Sequence, residues 1–335
     1  MKKIVSFGEI MLRLTPFHYQ RIEQAKTLSI EYGGSESNVA ASLAQLGTAV
    51  NYVSRVPDNS FGLSALACME GWGVNTQHCI YGGDRLGIYF VETGAGRRNS
   101  KVIYDRTGSS MYHLSPGMIN WATIFKDAQW FHWSGITPSI SQSAANACKE
   151  AVLAAREAGL MISCDLNYRS KLWKYGVHPD KIMPELIQDC DVISGDEDVL
   201  DTYFKIKSNN RKDAFEKLQN RFPNAKFISF TEREGLSATH NTYQGYLFHD
   251  NHIYESKKHD IPDIIDRLGT GDAFIAGLIH KLHGANQYKE EIQLCIDFAT
   301  AVAVHKHYVA GDINIVSKEE VESLMAGNTG AKVRR

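Results

Sequence analysis

Toward the C-terminal end of the chain, Asp266-Arg267-Leu268-Gly269-Thr270-Gly271-Asp272 sets two glycines and a hydroxyl residue directly before a carboxylate. Phe274, Leu278 and Leu282 follow at i, i+4 and i+8, the spacing of one helical face. Glycines at a helix start let backbone N–H groups close on an anion, and the helix dipole favours negative charge there. A carboxylate in the same place competes with a phosphate, unless it takes the proton from the group that attacks that phosphate. An anion hole with an adjacent base suits phosphoryl transfer, where positioning and charge stabilisation supply most of the catalysis. Asp272 as a plain helix N-cap is the alternative, because Asp caps helices well. Neither G-x-x-x-x-G-K-[ST] nor G-x-G-x-x-G occurs, so the commoner nucleotide loops offer no rival. An NAD-binding reading lacks its glycine fingerprint too, since Gly8-Glu9-Ile10-Met11 follows the first apolar run.

The elements that must hold this loop alternate along the chain. Residues 4–8, 50–54, 130–134, 161–166, 192–194 and 226–231 are predicted strands, and 37–46, 143–158 and 211–221 are predicted helices. Such alternation argues for βαβ units and a mostly parallel, helix-covered sheet, an α/β fold. Residues 12–32 and 81–110 break the rhythm with short period-two patterns and no helix. Within 101–106, Val102, Tyr104 and Arg106 share one face, while Ile103 and Asp105 take the other. These two excursions are expected to form a small β lid over the active face. The body is then 1–11, 33–80 and 111–330, and 331–335 is a frayed tail.

Composition excludes several classes. The 335 residues are 43% hydrophobic and 22% charged, ordinary for a globular enzyme. A net charge of −2 leaves no footprint for nucleic acid or an anionic membrane. No apolar run approaches the roughly 18–20 residues that span a bilayer. Lys2 and Lys3 precede only a short apolar stretch before Glu9, which reads as a first strand and not a signal peptide. Cys68, Cys79, Cys148, Cys164, Cys190 and Cys295 lie far apart without ligand spacing, so buried thiols in a reducing, cytoplasmic compartment are expected.

Asp266–Asp272, continuing into Ala273-Phe274, resembles the D-x-x-G-x-G-D signature of the ribokinase-like (PfkB) carbohydrate kinases. Gly33-Gly34-Ser35-Glu36-Ser37-Asn38-Val39-Ala40, running on to Leu46-Gly47, resembles that family's N-terminal signature. The resemblance implies a Rossmann-type three-layer α/β sandwich with a small β-sheet lid. It implies Asp272 as general base, and the amides of Gly269, Thr270 and Gly271 as the hole for charge on the γ-phosphoryl group. ATP and Mg²⁺ are implied as cofactors. A monovalent cation, used in parts of the family, is left open, as is a homodimer or higher homo-oligomer through the exposed lid edge.

Asp165-Leu166-Asn167-Tyr168-Arg169-Ser170-Lys171-Leu172-Trp173 resembles the D-x-N-Y-R-x-x-L-W stretch of one branch, the 2-keto-3-deoxygluconate kinases. Tyr89, Tyr104 and Arg106 match that branch as well. Gly34, Ser35, Asn38, Tyr89, Tyr104, Arg106, Arg169, Asp272 and Asp312 are thereby implied on the substrate side. Asn167, Arg169, Thr231, Arg233, Gly235, Gly269 and Gly271 are implied on the ATP side. Arg13 stands where many neutral-sugar kinases of the family carry an Asp. With Arg106 and Arg169 it points to an anionic sugar, since a guanidinium fork suits a carboxylate. The bland alternative leaves Arg13 simply exposed. The family's Asn-x-x-Glu motif is missing: Gly195-Asp196-Glu197-Asp198-Val199 stands nearest, and no metal ligand is named. The expected reaction is phosphorylation of 2-keto-3-deoxygluconate by ATP to the 6-phosphate. Kinases of fructose, ribose, a nucleoside or another sugar acid are alternatives within the class. A non-catalytic sugar or nucleotide sensor is the alternative outside it.

Overall fold

The computed structural model describes residues 3–284 and 291–328, so the expected tail at 331–335 lies outside the described residues. The chain opens with β1 (Lys3–Phe7), then β2 (Met11–Pro16), β3 (Leu28–Gly33) and α1 (Ser35–Gln45). It continues through β4 (Val50–Val53), β5 (Arg55–Val56), α2 (Ser60–Gly71), β6 (Ile80–Tyr81), β7 (Gly87–Glu92) and β8 (Lys101–Asp105). The middle carries α3 (Trp121–Phe125), β9 (Ala128–Ser134), α4 (Ile136–Ile140), α5 (Gln142–Glu157), β10 (Met161–Asp165) and α6 (Met183–Ile187). After β11 (Val192–Gly195), α7 (Leu200–Phe204) and α8 (Arg211–Arg221) come four strands: β12 (Phe227–Ser237), β13 (His240–His249), β14 (His252–Glu255) and β15 (His259–Ile261). Three helices follow, α9 (Thr270–Gly284), α10 (Ile292–Lys306) and α11 (Lys318–Met325).

The main sheet has the order β14-β13-β12-β11-β10-β9-β1-β4, with β15 also on β13. Pairing is parallel from β4 to β12 and antiparallel beyond. A central parallel strand is covered on both faces, which is why β9 reads Trp130-Phe131-His132-Trp133-Ser134 and is buried throughout that run. Phe131 and Trp133 pack with Cys148 of α5 and Phe215 of α8; Trp130, facing the other way, packs with Val39 of α1, Phe274 of α9 and Ile296 of α10. The result is helix, sheet, helix. Chain order reverses beside β1, and the crevice at the carboxyl ends of β1 and β9 is where such sheets place ligands. There Glu36 of α1 reaches across the switch. Its Oε1 accepts from Ser134 N–H (3.2 Å), Ser134 Oγ (2.7 Å) and Thr137 Oγ1 (2.8 Å), and burial pushes its carboxyl up to about 7.

A separate sheet, β3-β2-β7-β8, is formed by the segments that broke the rhythm. Met11, Tyr89 and Val91 make its inner face, with Val102, Tyr104 and Leu268 of the glycine loop against them; Ile30 and Ile103 point outward and are exposed. Several elements differ from the sequence reading, the short helices and α10 and α11 among them. The strand expected at 226–231 runs on to Ser237, because the polar stretch Glu232-Arg233-Glu234 pairs with β13 although it has no buried face. Helix α2 was not foreseen: Gly62 and Gly71 interrupt an otherwise apolar run. Nor was the antiparallel extension β13–β15. Among the described residues no helix is long and apolar enough to cross a membrane, and the six cysteines are free.

Helix α9, which carries the glycine loop, lies close on α10 at Gly277, where a Cβ would come within 2.9 Å of Ala299 Cα and 3.0 Å of Val302 Cγ2. Gly277→Leu is expected to destabilise the protein by about 1–3 kcal/mol through overpacking. Gly71→Ala, where an added Cβ meets nothing within 4 Å, should leave the denaturation midpoint unchanged or raise it.

Candidate active site

Gly269 has φ +76, and a Cβ on it would lie 2.0 Å from the carbonyl oxygen of Asp312. Only glycine takes that left-handed turn under that carbonyl. Helix α9 then begins, and as its first residues Thr270 and Gly271 have N–H groups with no intrahelical acceptor. Asp272 follows, only 9% exposed. Its Oδ1 accepts from Ser35 Oγ (2.8 Å) and its Oδ2 from Asn38 Nδ2 (2.8 Å), both on the first turn of α1. Both oxygens therefore reach across to another helix, so the N-cap alternative does not describe this residue. Burial pushes its carboxyl up to about 6; the two hydrogen bonds oppose that rise, Asp312 adds to it and Arg169 opposes it. Asn167 extends the chain of contacts: its Nδ2 donates to Ser35 Oγ at 2.9 Å. It sits just past the end of β10 at φ +36, a region where Asn is better tolerated than most residues.

A cleft of about 1670 Å³ opens on this group, lined by Asn167, Arg169, Thr231, Arg233 and the run from Gly269 to Asp272. Arg233 Nη2 donates to Thr270 Oγ1 at 2.8 Å, and that hydroxyl donates to the Arg267 carbonyl at 3.1 Å. Gly235 is not with them. It lies on the extended β12 opposite Asn241, because the Thr-Glu-Arg-Glu-Gly stretch forms regular hairpin and no glycine turn. Two carboxylates the sequence reading left without a role share the cleft. Asp165 ends β10 with its carboxyl raised to about 8 by burial and by the neighbouring Asp272 and Asp196; Asp196 follows β11 and accepts from Thr231 Oγ1 at 3.2 Å. Among the described residues no three His, Cys, Asp or Glu gather into a group that could hold a metal ion by themselves.

Tyr104 and Arg106 line a second cleft, about 630 Å³, together with Lys171, Lys174 and Tyr175. Arg106 is buried, and its Nε donates to Glu9 Oε2 at 2.6 Å, while Ser109 Oγ donates to Glu9 Oε1 at 2.5 Å. Gly34 begins α1 against the same Glu9: a Cβ there would sit 2.0 Å from the Glu9 carbonyl oxygen. Tyr89 OH donates to Asp312 Oδ2 at 2.6 Å, with its ring 6.2 Å from that of Tyr104. Arg169 is exposed, and its Nη1 donates to the Tyr168 carbonyl at 3.0 Å.

Arg13 departs from its expected place. It is 2% exposed and lines neither cleft. Nη1 donates to Asp312 Oδ1, Nη2 to Asp266 Oδ2 at 2.7 Å and Nε to Thr15 Oγ1 at 3.0 Å, with Glu31 3.4 Å away. The exposed alternative fails equally. Nothing near Arg13 in the sequence announces these partners, 253 and 299 residues distant. Lys306, fully buried in the last turn of α10, completes the cluster and donates to the Val309 carbonyl at 3.0 Å. Glu9 and Asp266 both stood inside stretches the sequence reading quoted, so an excess of carboxylates beside arginines was the available signal.

The pattern of the pfkB family carbohydrate kinases matches residues 1–317, and the chain belongs to that family. It is 30% identical over 325 residues to the 2-dehydro-3-deoxygalactonokinase of Haloferax volcanii, covering 97% of each chain. The 2-dehydro-3-deoxygluconokinase of Thermotoga maritima superposes with a TM-score of 0.91 at 36% identity, over 98% of this chain and 100% of that one. A fructokinase of Xylella fastidiosa with bound ATP shares the fold, with a TM-score of 0.82 at 21% identity, over 98% and 100%. The protein is a carbohydrate kinase close to the 2-keto-3-deoxy sugar acid kinases, and the expected α/β class holds.

Asn38→Ala removes a hydrogen bond that favours ionised Asp272, so titration of that carboxyl should move upward from about 6. The ¹³C-carboxyl shift of aspartate-labelled protein, assigned with Asp272→Asn, reads it; an unmoved titration means the bond is not made in solution.

Proposed function

We propose that this kinase transfers the γ-phosphoryl group of ATP to the terminal hydroxyl of a 2-keto-3-deoxy sugar acid, 2-keto-3-deoxygluconate first. The observation that carries the chemistry is the Asp272 carboxylate, held by Ser35 and Asn38 directly beside the amides of Thr270 and Gly271. A group titrating near 6 is ionised at neutral pH and can still accept a proton. Asp272 takes the hydroxyl proton, the freed oxygen forms the new bond to phosphorus, and the bond to the ADP oxygen breaks. Amides at Gly269, Thr270 and Gly271 hold the charge that develops on the transferred group.

ATP fits the larger cleft, with Asn167, Arg169, Thr231 and Arg233 along it. Mg²⁺ prefers hard oxygens and keeps several waters, so Asp165 and Asp196, in the same cleft, suit it as partial ligands beside the phosphates, whose charge it would neutralise. The substrate assignment rests on the named relatives and on the cationic lining of the smaller cleft. Arg106, Lys171 and Lys174 converge there, and Tyr104 supplies a hydroxyl. One carboxylate on Arg106 leaves that guanidinium with donors to spare for a second, because Arg carries five. Asp312, held by Tyr89, offers an acceptor for a sugar hydroxyl.

An ADP-release assay over 2-keto-3-deoxygluconate, its galacto epimer, fructose and ribose is expected to favour the acids; preference for fructose or ribose overturns the substrate assignment. Asp272→Asn should lower kcat by about 10²–10⁴-fold with the fold retained by circular dichroism. If neither protein turns over any sugar while ligands still stabilise both, the protein is a sensor. Wild-type kcat/KM should fall as pH drops through about 6, since the base is lost on protonation. Arg106→Met should raise KM for the acid by about 10–100-fold, the worth of one charged hydrogen bond, and leave KM for ATP unchanged.

A further inference from the structure

We propose that Arg13, carried on lid strand β2, is a positioning residue for phosphoryl transfer: it grips Asp266 and Asp312 together and thereby sets the glycine turn at Gly269. This rests on the assignment of that turn as the anion hole.

The two carboxylates come from separate loops, one before α9 and one after α10. Both abut the turn. Asp266 Oδ1 accepts the Leu268 N–H at 3.0 Å, immediately before Gly269. Asp312 presents its carbonyl where a Cβ of Gly269 would be. With Nη2 on one carboxylate and Nη1 on the other, Arg13 fixes the separation of the two walls between which the turn is formed. Leu268 itself packs under the lid beside Met11, Tyr89 and Val91, so the same strand holds the turn by its side chain.

Charge makes the second half of the case. Asp266, Asp312 and Glu31 gather beneath a loop that must receive phosphate, and Arg13 faces all three. Without it their field would oppose the incoming anion. Lys306 adds its charge to the same field, but its ammonium donates to the Val309 carbonyl, so the two carboxylates are bridged by Arg13. With three nitrogens engaged and a place outside both clefts described above, Arg13 acts through these carboxylates and not by touching a substrate.

Arg13→Met, Arg13→Lys and Asp266→Asn are compared with the wild-type enzyme on whichever sugar that enzyme turns over, so a mistaken acceptor does not bear on the result. Arg13→Met is expected to lower kcat by about 10²-fold, as a displaced reacting group does, with KM for ATP and sugar little changed. Arg13→Lys should recover part of the loss. The acid limb of kcat/KM discriminates. Asp272 is faced by Ser35 and Asn38 and lies in the field of Asp165, Asp312, Arg169 and Lys306. Taking the cation off Asp312 makes that field more negative, so the limb should move to higher pH; loss of packing alone would lower activity at every pH without moving it. An unmoved limb, full kcat, or a rise in KM confined to sugar acids overturns the proposal. If Arg13→Met does not fold, Asp266→Asn decides. Its amide oxygen can still accept from Leu268, so a fall in kcat of about 10-fold supports the grip and wild-type kcat refutes it.

Discussion

One carboxylate shared between two helices holds the site together. Asp272 and Asn38 are 234 residues apart, yet a 2.8 Å hydrogen bond joins them, and Ser35 binds the other oxygen. For that contact to form, the first turns of α1 and α9 must meet at the carboxyl edge of the sheet. The parallel order around β1 brings them there, and the glycines permit the approach. Gly34 lets α1 begin against the carbonyl of Glu9, and Gly269 lets α9 begin against that of Asp312. A methyl group at either position would push that helix start off the carbonyl it abuts. The apposition gives one buried carboxylate a hydrogen-bonded orientation and sets two orphan backbone donors beside it.

The lid belongs to the same construction. Its strands contribute Arg13 and Tyr89, and Arg106 follows β8 directly; each meets a body or linking carboxylate: Asp266 and Asp312, Asp312 again, and Glu9. A buried ion pair is weak evidence for stability, because desolvation of both charges offsets their attraction. What these pairs supply is register. Each guanidinium has several donors in one plane, and satisfying them fixes where a thin four-stranded sheet sits over a deep cleft.

Much of this was legible in the sequence where chemistry is local. The Gly-Thr-Gly-Asp run, the helix after it and the Gly-Gly turn before α1 are contiguous patterns, and contiguous backbone geometry makes them. The buried strands were legible because parallel strands need apolar residues on both faces. The surroundings of Arg13 were not legible, because its partners lie 253 and 299 residues away. Type and position alone left a guanidinium free to seek a substrate carboxylate, while the fold had supplied carboxylates of its own. Arg106 likewise has a partner the sequence did not announce, Glu9, 97 residues distant, though its guanidinium keeps donors for a second carboxylate. Gly235 was implied on the ATP side by resemblance alone, and the hairpin with β13 makes its stretch strand, outside the larger cleft. Asp165 and Asp196 went without a role because β10 and β11 had to be laid side by side before the two could share a cleft.

The α1 start has a consequence for how the protein answers acidity. Glu36 and Asp272 flank the same turn, and both hold their protons more tightly folded than unfolded, to about 7 and about 6 against ordinary values of 4.5 and 3.8. A carboxyl raised in this way binds protons preferentially in the native state, so stability declines as pH climbs from the unfolded value toward the folded one. Activity runs the other way, since a base must be ionised to act. The ionised base that activity requires is therefore held at a cost to the fold at this helix start, while buried His132 and His307 and half-buried His280, whose protonation burial disfavours, weigh against acid elsewhere.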